Sequence, residues 1–290
     1  SSDYAGGLIG YTERVSLENC YAEGNITGKR FVGGVVGYAM ELIAVNCFAK
    51  GKVTGTSMVG GFAGYAGGSS SGNIIENCYA YGEVIGEKSV GGFAGLTSGS
   101  TNGNLILKAC HALGNVTATQ QVGGLVGNFS FHNSVYNCSA TGTVKGTSCV
   151  GGLIGDGYAM KEIKNCYSTG DVIAKGDFVG GIIGRTSNSN ATDITGCYST
   201  GNISGVEKVG GVMGFCDAIL SLSDCYSTGN ISGQKDVGGV VGYLSWMRGP
   251  MTGCSSQGRV SGDTNIGGLV GQISSFQDLS IDNCISSAEV

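Results

Sequence analysis

The chain contains one proline, one tryptophan and two histidines in 290 residues, and only 13% of it is charged. Each scarcity excludes something. A chain almost free of proline keeps its backbone N–H donors, as a sheet in which every strand has two neighbours requires. Charges of both signs are scattered at a net of −5, with no basic cluster to meet nucleic acid or an anionic membrane surface. No apolar run approaches the ~18 residues of a spanning helix. The opening SSDYAGGLIG has neither the basic start nor the long apolar stretch of a signal peptide, so any export signal is expected to lie outside this chain. With 41% hydrophobic residues, the chain has material for a sizeable core and is not expected to be disordered.

The paucity of histidine bears on catalysis. His111 and His132 are not one helical turn apart and have no His-Glu-x-x-His context, so a zinc peptidase site is not formed here. Neither histidine stands in a recognisable nucleophile context. No Cys-x-x-Cys pair offers zinc-ligand spacing. No acidic residue recurs at a fixed place, as a polysaccharide-cleaving face of paired carboxylates requires. The reading is of a non-enzyme without cofactor or metal.

What the chain has in excess is glycine, at 56 residues, and cysteine, at 12. Ten cysteines recur at positions 20, 47, 78, 110, 138, 166, 197, 225, 254 and 284, in steps of 27 to 32. Thirteen residues after each of the first nine comes a Gly-Gly pair, except for the 14 between Cys166 and Gly180. From Gly-Gly to the next cysteine the distance varies from 14 to 19, and the longest insertions, 65–73 and 96–104, are rich in Gly, Ser and Asn, as surface loops are. Each repeat therefore has a rigid half and a half that accepts insertions.

In CYSTGNIS from Cys225 the period is two: Cys, Ser, Gly and Ile on one face, Tyr, Thr, Asn and Ser on the other. That is a strand with one buried face. An apolar residue precedes nearly every cysteine by three positions, and VGGVVG reads as a short, fully buried strand. A helix-free unit of this length cannot bury its own apolar face and must stack on copies of itself. The expectation is an all-β, right-handed parallel β-helix (β-solenoid) of about ten coils of roughly 28–30 residues, spanning 1–290 as one unit. At about 4.8 Å per coil it forms a rod on the order of 45–50 Å long. A leucine-rich repeat is the main rival, and a propeller a weaker one because a blade needs more residues.

The signature of GGLVG, from Gly123, with NCYSTGDV, Asn165 to Val172, resembles the GLUG motif. The resemblance covers the whole chain. It implies an exported bacterial protein, extracellular or attached to the cell surface. GLUG repeats occur in filamentous-haemagglutinin-like adhesins and in IgA-cleaving zinc metallopeptidases. It implies an adhesive or spacer rod or, alternatively, a substrate-recognition region of an IgA peptidase whose catalytic domain lies outside this chain. Partners of either would be host glycans or glycoproteins such as IgA.

Four positions within the repeat invite a role. The aligned cysteines read as an inward column of small hydrophobes, with inter-coil bridging or metal binding as alternatives. Cys149 and Cys216 lie outside the column, each a candidate free thiol, Cys216 at the start of a variable loop. The asparagines before the cysteine (19, 46, 77, 137, 165, 283) are expected to stack at a corner. The residue after the cysteine, Tyr21, Phe48, Tyr79, Tyr167, Tyr198 or Tyr226, points outward and forms either a packing ladder or a recognition stripe, broken at His111, Ser139, Ser255 and Ile285. Tyr11, Tyr38, Tyr65 and Tyr243 form a patchier second column, and Trp246, in YLSWMRGPM, marks a loop as the other candidate surface. The chain opens inside a repeat without a polar cap, so a longer parent protein or edge-to-edge association is expected.

Overall fold

The computed structural model describes residues 2–68, 73–100, 104–187, 192–274 and 279–290. Among these residues every regular element is a β-strand, and the strands of successive repeats pair in parallel. One circuit runs through Tyr198–Ser199, Ile203–Ser204, Glu207–Gly210, Met213–Ile219 and Ser221–Ser223, and the next begins at Tyr226. Each strand sits beside its counterpart one repeat later: Tyr198 opposite Tyr226, Ile203 opposite Ile231, Val209 opposite Val237. Two sheets have ten strands and a third has nine, which makes nine complete turns and part of a tenth. The fold is the β-solenoid. The helix-free circuit sets aside the leucine-rich repeat, and the parallel rungs set aside the propeller, whose blades are antiparallel.

From Cys225 to Ser232 the side chains alternate without exception, Cys225, Ser227, Gly229 and Ile231 buried and the residues between them exposed. The apolar residues three before the cysteine are buried, with Ile75, Leu107, Val135, Ile163, Ile194, Leu222 and Met251 fully so, except Ile281 in the last coil, which is exposed.

The Gly-Gly element is a corner, not one buried strand. Arg30–Gly33 ends on the first glycine, Gly34 and Val35 bend, and a new strand, Val36–Val45, begins. The glycines are demanded by crowding. A Cβ on Gly33 would stand 2.0 Å from the Val36 carbonyl oxygen, and one on Gly34 would stand 2.1 Å from that of Gly61 and 2.7 Å from the Ala49 Cβ. Opposite this corner runs a column of small residues, Ala22, Ala49, Ala80, Ala112 and Ala140, then Ser168, Ser199, Ser227 and Ser256, all buried. Where the residue is serine its hydroxyl can donate to the second glycine's carbonyl, as from Ser227 to Gly239 at 2.6 Å.

This pinch divides the interior in two. The larger core holds the cysteines, the Leu and Ile columns, and Phe62 stacked on Phe93 at 4.8 Å. The smaller is almost all valine, from Val32, Val53 and Val59 to Val237 and Val260. Ile231, which has the same alternation parity as Cys225 but lies in a separate strand, Ile231–Ser232, is buried in the second core, not the first.

Cys47 to Cys254 of the column are buried and Cys20 and Cys284 half-buried, and all twelve thiols of the chain are free. Each sulfur is built into the ladder: the backbone N–H of Cys110 donates to Cys138 Sγ at 3.3 Å, and that of Cys197 to Cys225 Sγ at 3.4 Å. The residue before the cysteine turns the corner in the left-handed region, φ 52–54° at Asn19, Asn46, Asn77, Asn137, Asn165 and Asn283. The amides chain together there, Asn77 Nδ2 donating to Asn46 Oδ1 at 2.7 Å. Asparagine suits this backbone because its short polar side chain lowers the cost of positive φ.

Two expectations about loops are corrected. Cys216 does not begin a loop: it lies inside Met213–Ile219 and is fully buried, because the strand after this Gly-Gly corner runs two residues longer than in most coils. YLSWMRGPM is likewise strand as far as Met247 and leaves the ladder only at Arg248. Of the two long insertions, 69–72 and 101–103 lie outside the described residues.

Candidate recognition surfaces

Tyr21, Phe48, Tyr79, Tyr167, Tyr198 and Tyr226 stand in register on the outside of one sheet, with His111 and Ser139 between Tyr79 and Tyr167. The rings form two runs. Tyr21 stacks on Phe48 at 4.9 Å, and Tyr167, Tyr198 and Tyr226 stack at 5.1 and 4.8 Å with planes within 7°. Stacking at coil spacing spends the ring faces on one another, so the column turns edges and hydroxyls outward. His111 lies tilted against Tyr79 at 5.1 Å and is hydrogen-bonded through Nδ1 to Ser139 Oγ at 2.7 Å. Partial burial lowers its pKa, so it is neutral at pH 7. His132 turns a corner at φ 55°. The two histidines thus occupy separate places, and among the described residues no three His, Cys, Asp or Glu converge as metal ligands.

A second surface was only half visible in the sequence. The second tyrosine column is one line of a pair. Tyr11, Tyr38, Tyr65, Leu96, Asn128, Asp156, Arg185, Phe215, Tyr243 and Gln272 follow one another in register, each five residues beyond the first glycine of its corner. Beside them lie the residues two before that glycine: Phe31, Met58, Ser89, Gln121, Cys149, Phe178, Lys208, Asp236 and Asn265, all at φ 50–62°. The left-handed turn throws each of these side chains across the corner onto the first line. Phe31 meets Tyr38 edge-on at 5.1 Å, Gln121 Nε2 donates to Asp156 Oδ2 at 2.9 Å, and Asn265 Nδ2 donates to Gln272 Oε1 at 3.0 Å.

Three zones follow along this double line. At one end Tyr4, Tyr11, Phe31, Tyr38 and Tyr65 form a contiguous aromatic patch with centroids 4.5–6.3 Å apart. The middle is a closed polar network: Arg185 grips buried Asp156 through Nε at 2.9 Å and Nη2 at 2.7 Å, a two-pronged pair that raises the Arg185 pKa. Toward the other end Lys208 Nζ lies 4.9, 5.6 and 6.0 Å from the ring centres of Phe178, Tyr243 and Phe215. A pocket opens there, lined by Lys208, Phe215, Lys235, Asp236, Tyr243, Ser245 and Gln272. Trp246 is half-buried one residue beyond the pocket wall and carries the Arg248 guanidinium at 5.2 Å. No single residue type marks the line from Phe31 to Asn265, so nothing in the repeat pattern singles it out.

Burial pushes Cys78 up to about 12, Cys138 well above its ordinary value and Cys216 to about 12, whereas side-chain hydrogen bonds from neighbouring column cysteines lower Cys197 and Cys254. A buried thiol kept protonated, as at Cys78 and Cys138, is a poor nucleophile and a poor metal ligand. With Cys47 to Cys254 buried, every thiol free and no metal-ligand cluster among the described residues, the cysteine column packs as core.

In comparison with known proteins, the GLUG motif matches residues 1–27, 118–145 and 146–173. No curated protein matches the chain, and no solved structure matches its fold. The chain carries GLUG repeats, and the coil described above is the form they take here.

Proposed function

We propose that this GLUG-repeat solenoid is a non-catalytic, rod-like segment of an extracellular bacterial protein, attached at the cell surface, that holds recognition surfaces along its flank. The observation that supports the reading most is axial continuity. The same positions return at the same height turn after turn, so surface columns run the length of the rod with no cleft of converging acid, base and nucleophile among the described residues. A stack of about ten coils at about 4.8 Å each is a stiff spacer on the order of 45–50 Å long. No helix of the described residues is long and apolar enough to cross a membrane.

Direct binding to immobilised IgA and to a panel of mucosal glycans tests the reading, beside a variant with Tyr167, Tyr198 and Tyr226 all changed to Ser. Glycan binding by the folded chain is the expected result for an adhesive shaft. Capture of IgA through its polypeptide would favour the substrate-recognition region of a peptidase. Failure to bind anything leaves the spacer alone, and a compact, non-elongated particle in small-angle scattering would overturn the rod itself.

A further inference from the structure

We propose that the pocket formed by Lys208, Lys235, Asp236, Tyr243 and Gln272 is a subsite for an acidic saccharide, a pyranose carrying a carboxylate. The inference rests on the recognition half of the function proposed above and gives it a place and a chemistry.

The pocket exists because the two lines change size there. Phe178 and Lys208 are long and fill the corner against Phe215, whereas Asp236 and Asn265 in the next two coils are short. The ring ladder also ends there: Phe215 stacks on Tyr243 at 5.5 Å, and the residue in register beyond Tyr243 is Gln272. One side of the Tyr243 ring is thus left without an aromatic neighbour beside an open space of ligand size.

The polar groups around that space are mostly donors. Lys208 is positioned by three aromatic rings and Lys235 is exposed, and neither forms an ion pair among the described residues. Lys50, Lys52, Lys108 and Lys164, by contrast, each meet a glutamate. Cation–π contact orients an ammonium without neutralising it. Two carboxylates stand nearby: Asp236, buried at the floor and engaged by Asn265 Nδ2 at 2.7 Å, and Glu207, opposite Lys235 on the adjoining strand. They offset part of the positive charge of Lys208 and Lys235, which favours a singly charged carboxylate over a multiply charged phosphate. Gln272 accepts from Asn265 through Oε1, which leaves its amide N–H groups to donate into the pocket. Donors facing an aromatic wall in one concavity suit an oxygen-rich ring.

The test titrates the whole chain with a neutral hexose oligomer, its uronic-acid counterpart, sialyllactose, inorganic phosphate and an oligoglutamate peptide. Calorimetry gives the affinity, and the fluorescence of the sole tryptophan, Trp246, gives the location. The expected result is binding of the acidic saccharides, weakened at least tenfold by Lys235→Ala and by Gln272→Ala, both surface changes, and unaltered by Tyr226→Ser on the other face. Saccharide binding that survives the pocket variants and is lost with Tyr226→Ser would overturn this site while leaving the recognition reading intact. Preference for phosphate or oligoglutamate would overturn the ligand class. Binding to none of the five overturns the subsite, and the spacer reading is then judged by the scattering measurement alone.

Discussion

A cysteine at the same height in ten coils invites a chemical explanation, and the structure supplies a packing one. The thiol is small enough for the crowded interior, and its sulfur takes the N–H of the preceding coil, so no backbone donor is orphaned there. The native chain is expected to hide its column from a thiol reagent, with only half-buried Cys20 and Cys284 reacting quickly and all twelve reacting after unfolding. Fast labelling of Cys138 or Cys166 in the folded chain would contradict the packing account. The sign of the pH response follows from the same burial. An unfolded thiol titrates near 8.5, whereas Cys78 and Cys216 are held up at about 12. Between those values the unfolded chain releases protons that the folded chain keeps. The thiol contribution is thus fully present below about pH 8 and is lost progressively as pH rises toward 12. Denaturant midpoints measured from pH 7 to 10.5 are expected to fall above pH 8.5, less steeply in a Cys216→Ala variant.

At the scale of the element, the Gly-Gly corner decides the cross-section. A Cβ on Gly210 would sit 1.9 Å from the Met213 carbonyl oxygen and 2.7 Å from the Gly242 backbone nitrogen, both backbone atoms that cannot swing aside. Gly210→Ala is therefore expected to cost about 3 kcal/mol or more, the upper range of overpacking, read as a large drop in melting temperature. A melt within a degree or two of the wild type would show the corner to be softer than its geometry. The alternation from Cys225 to Ile231 was legible in the sequence, although the single strand it suggested is two short strands in different sheets, Tyr226–Ser227 and Ile231–Ser232. The corner was not, because an apolar run bounded by glycine looks the same whether the backbone passes straight or bends after the first glycine. Nor was the second core, since Ile231 and Cys225 share a parity and only the pinch between Ala and Gly-Gly parts them. The left-handed line from Phe31 to Asn265 escaped for another reason. There the repeat conserves a backbone angle, not a side-chain type, and such unlike residues leave no pattern. The pocket depends on which two lines lie side by side in space, which spacing along the chain does not encode.

For the whole molecule, the consequence of parallel stacking is that each coil is supported only by the coils before and after it. Stability then behaves as a chain of nearest-neighbour terms. Leu153, fully buried in a central coil, tests this. Leu153→Ala opens a cavity worth about 2–5 kcal/mol, and the loss falls on the junction between two blocks of intact coils. Leu17 lies in the first coil and is 8% exposed, so Leu17→Ala weakens an end and leaves the remaining stack continuous. Guanidinium unfolding read two ways distinguishes the cases, because Trp246 fluorescence reports the coils near one end while far-UV circular dichroism reports every strand. In the wild type the two curves are expected to coincide. In Leu153→Ala they should separate, with one block losing its strands while the fluorescence of the other is still native. In Leu17→Ala they should stay nearly together, the dichroism showing only a small early loss. Coincident curves in Leu153→Ala would mean that cooperativity reaches beyond adjacent coils, carried by the cysteine ladder that runs the length of the rod.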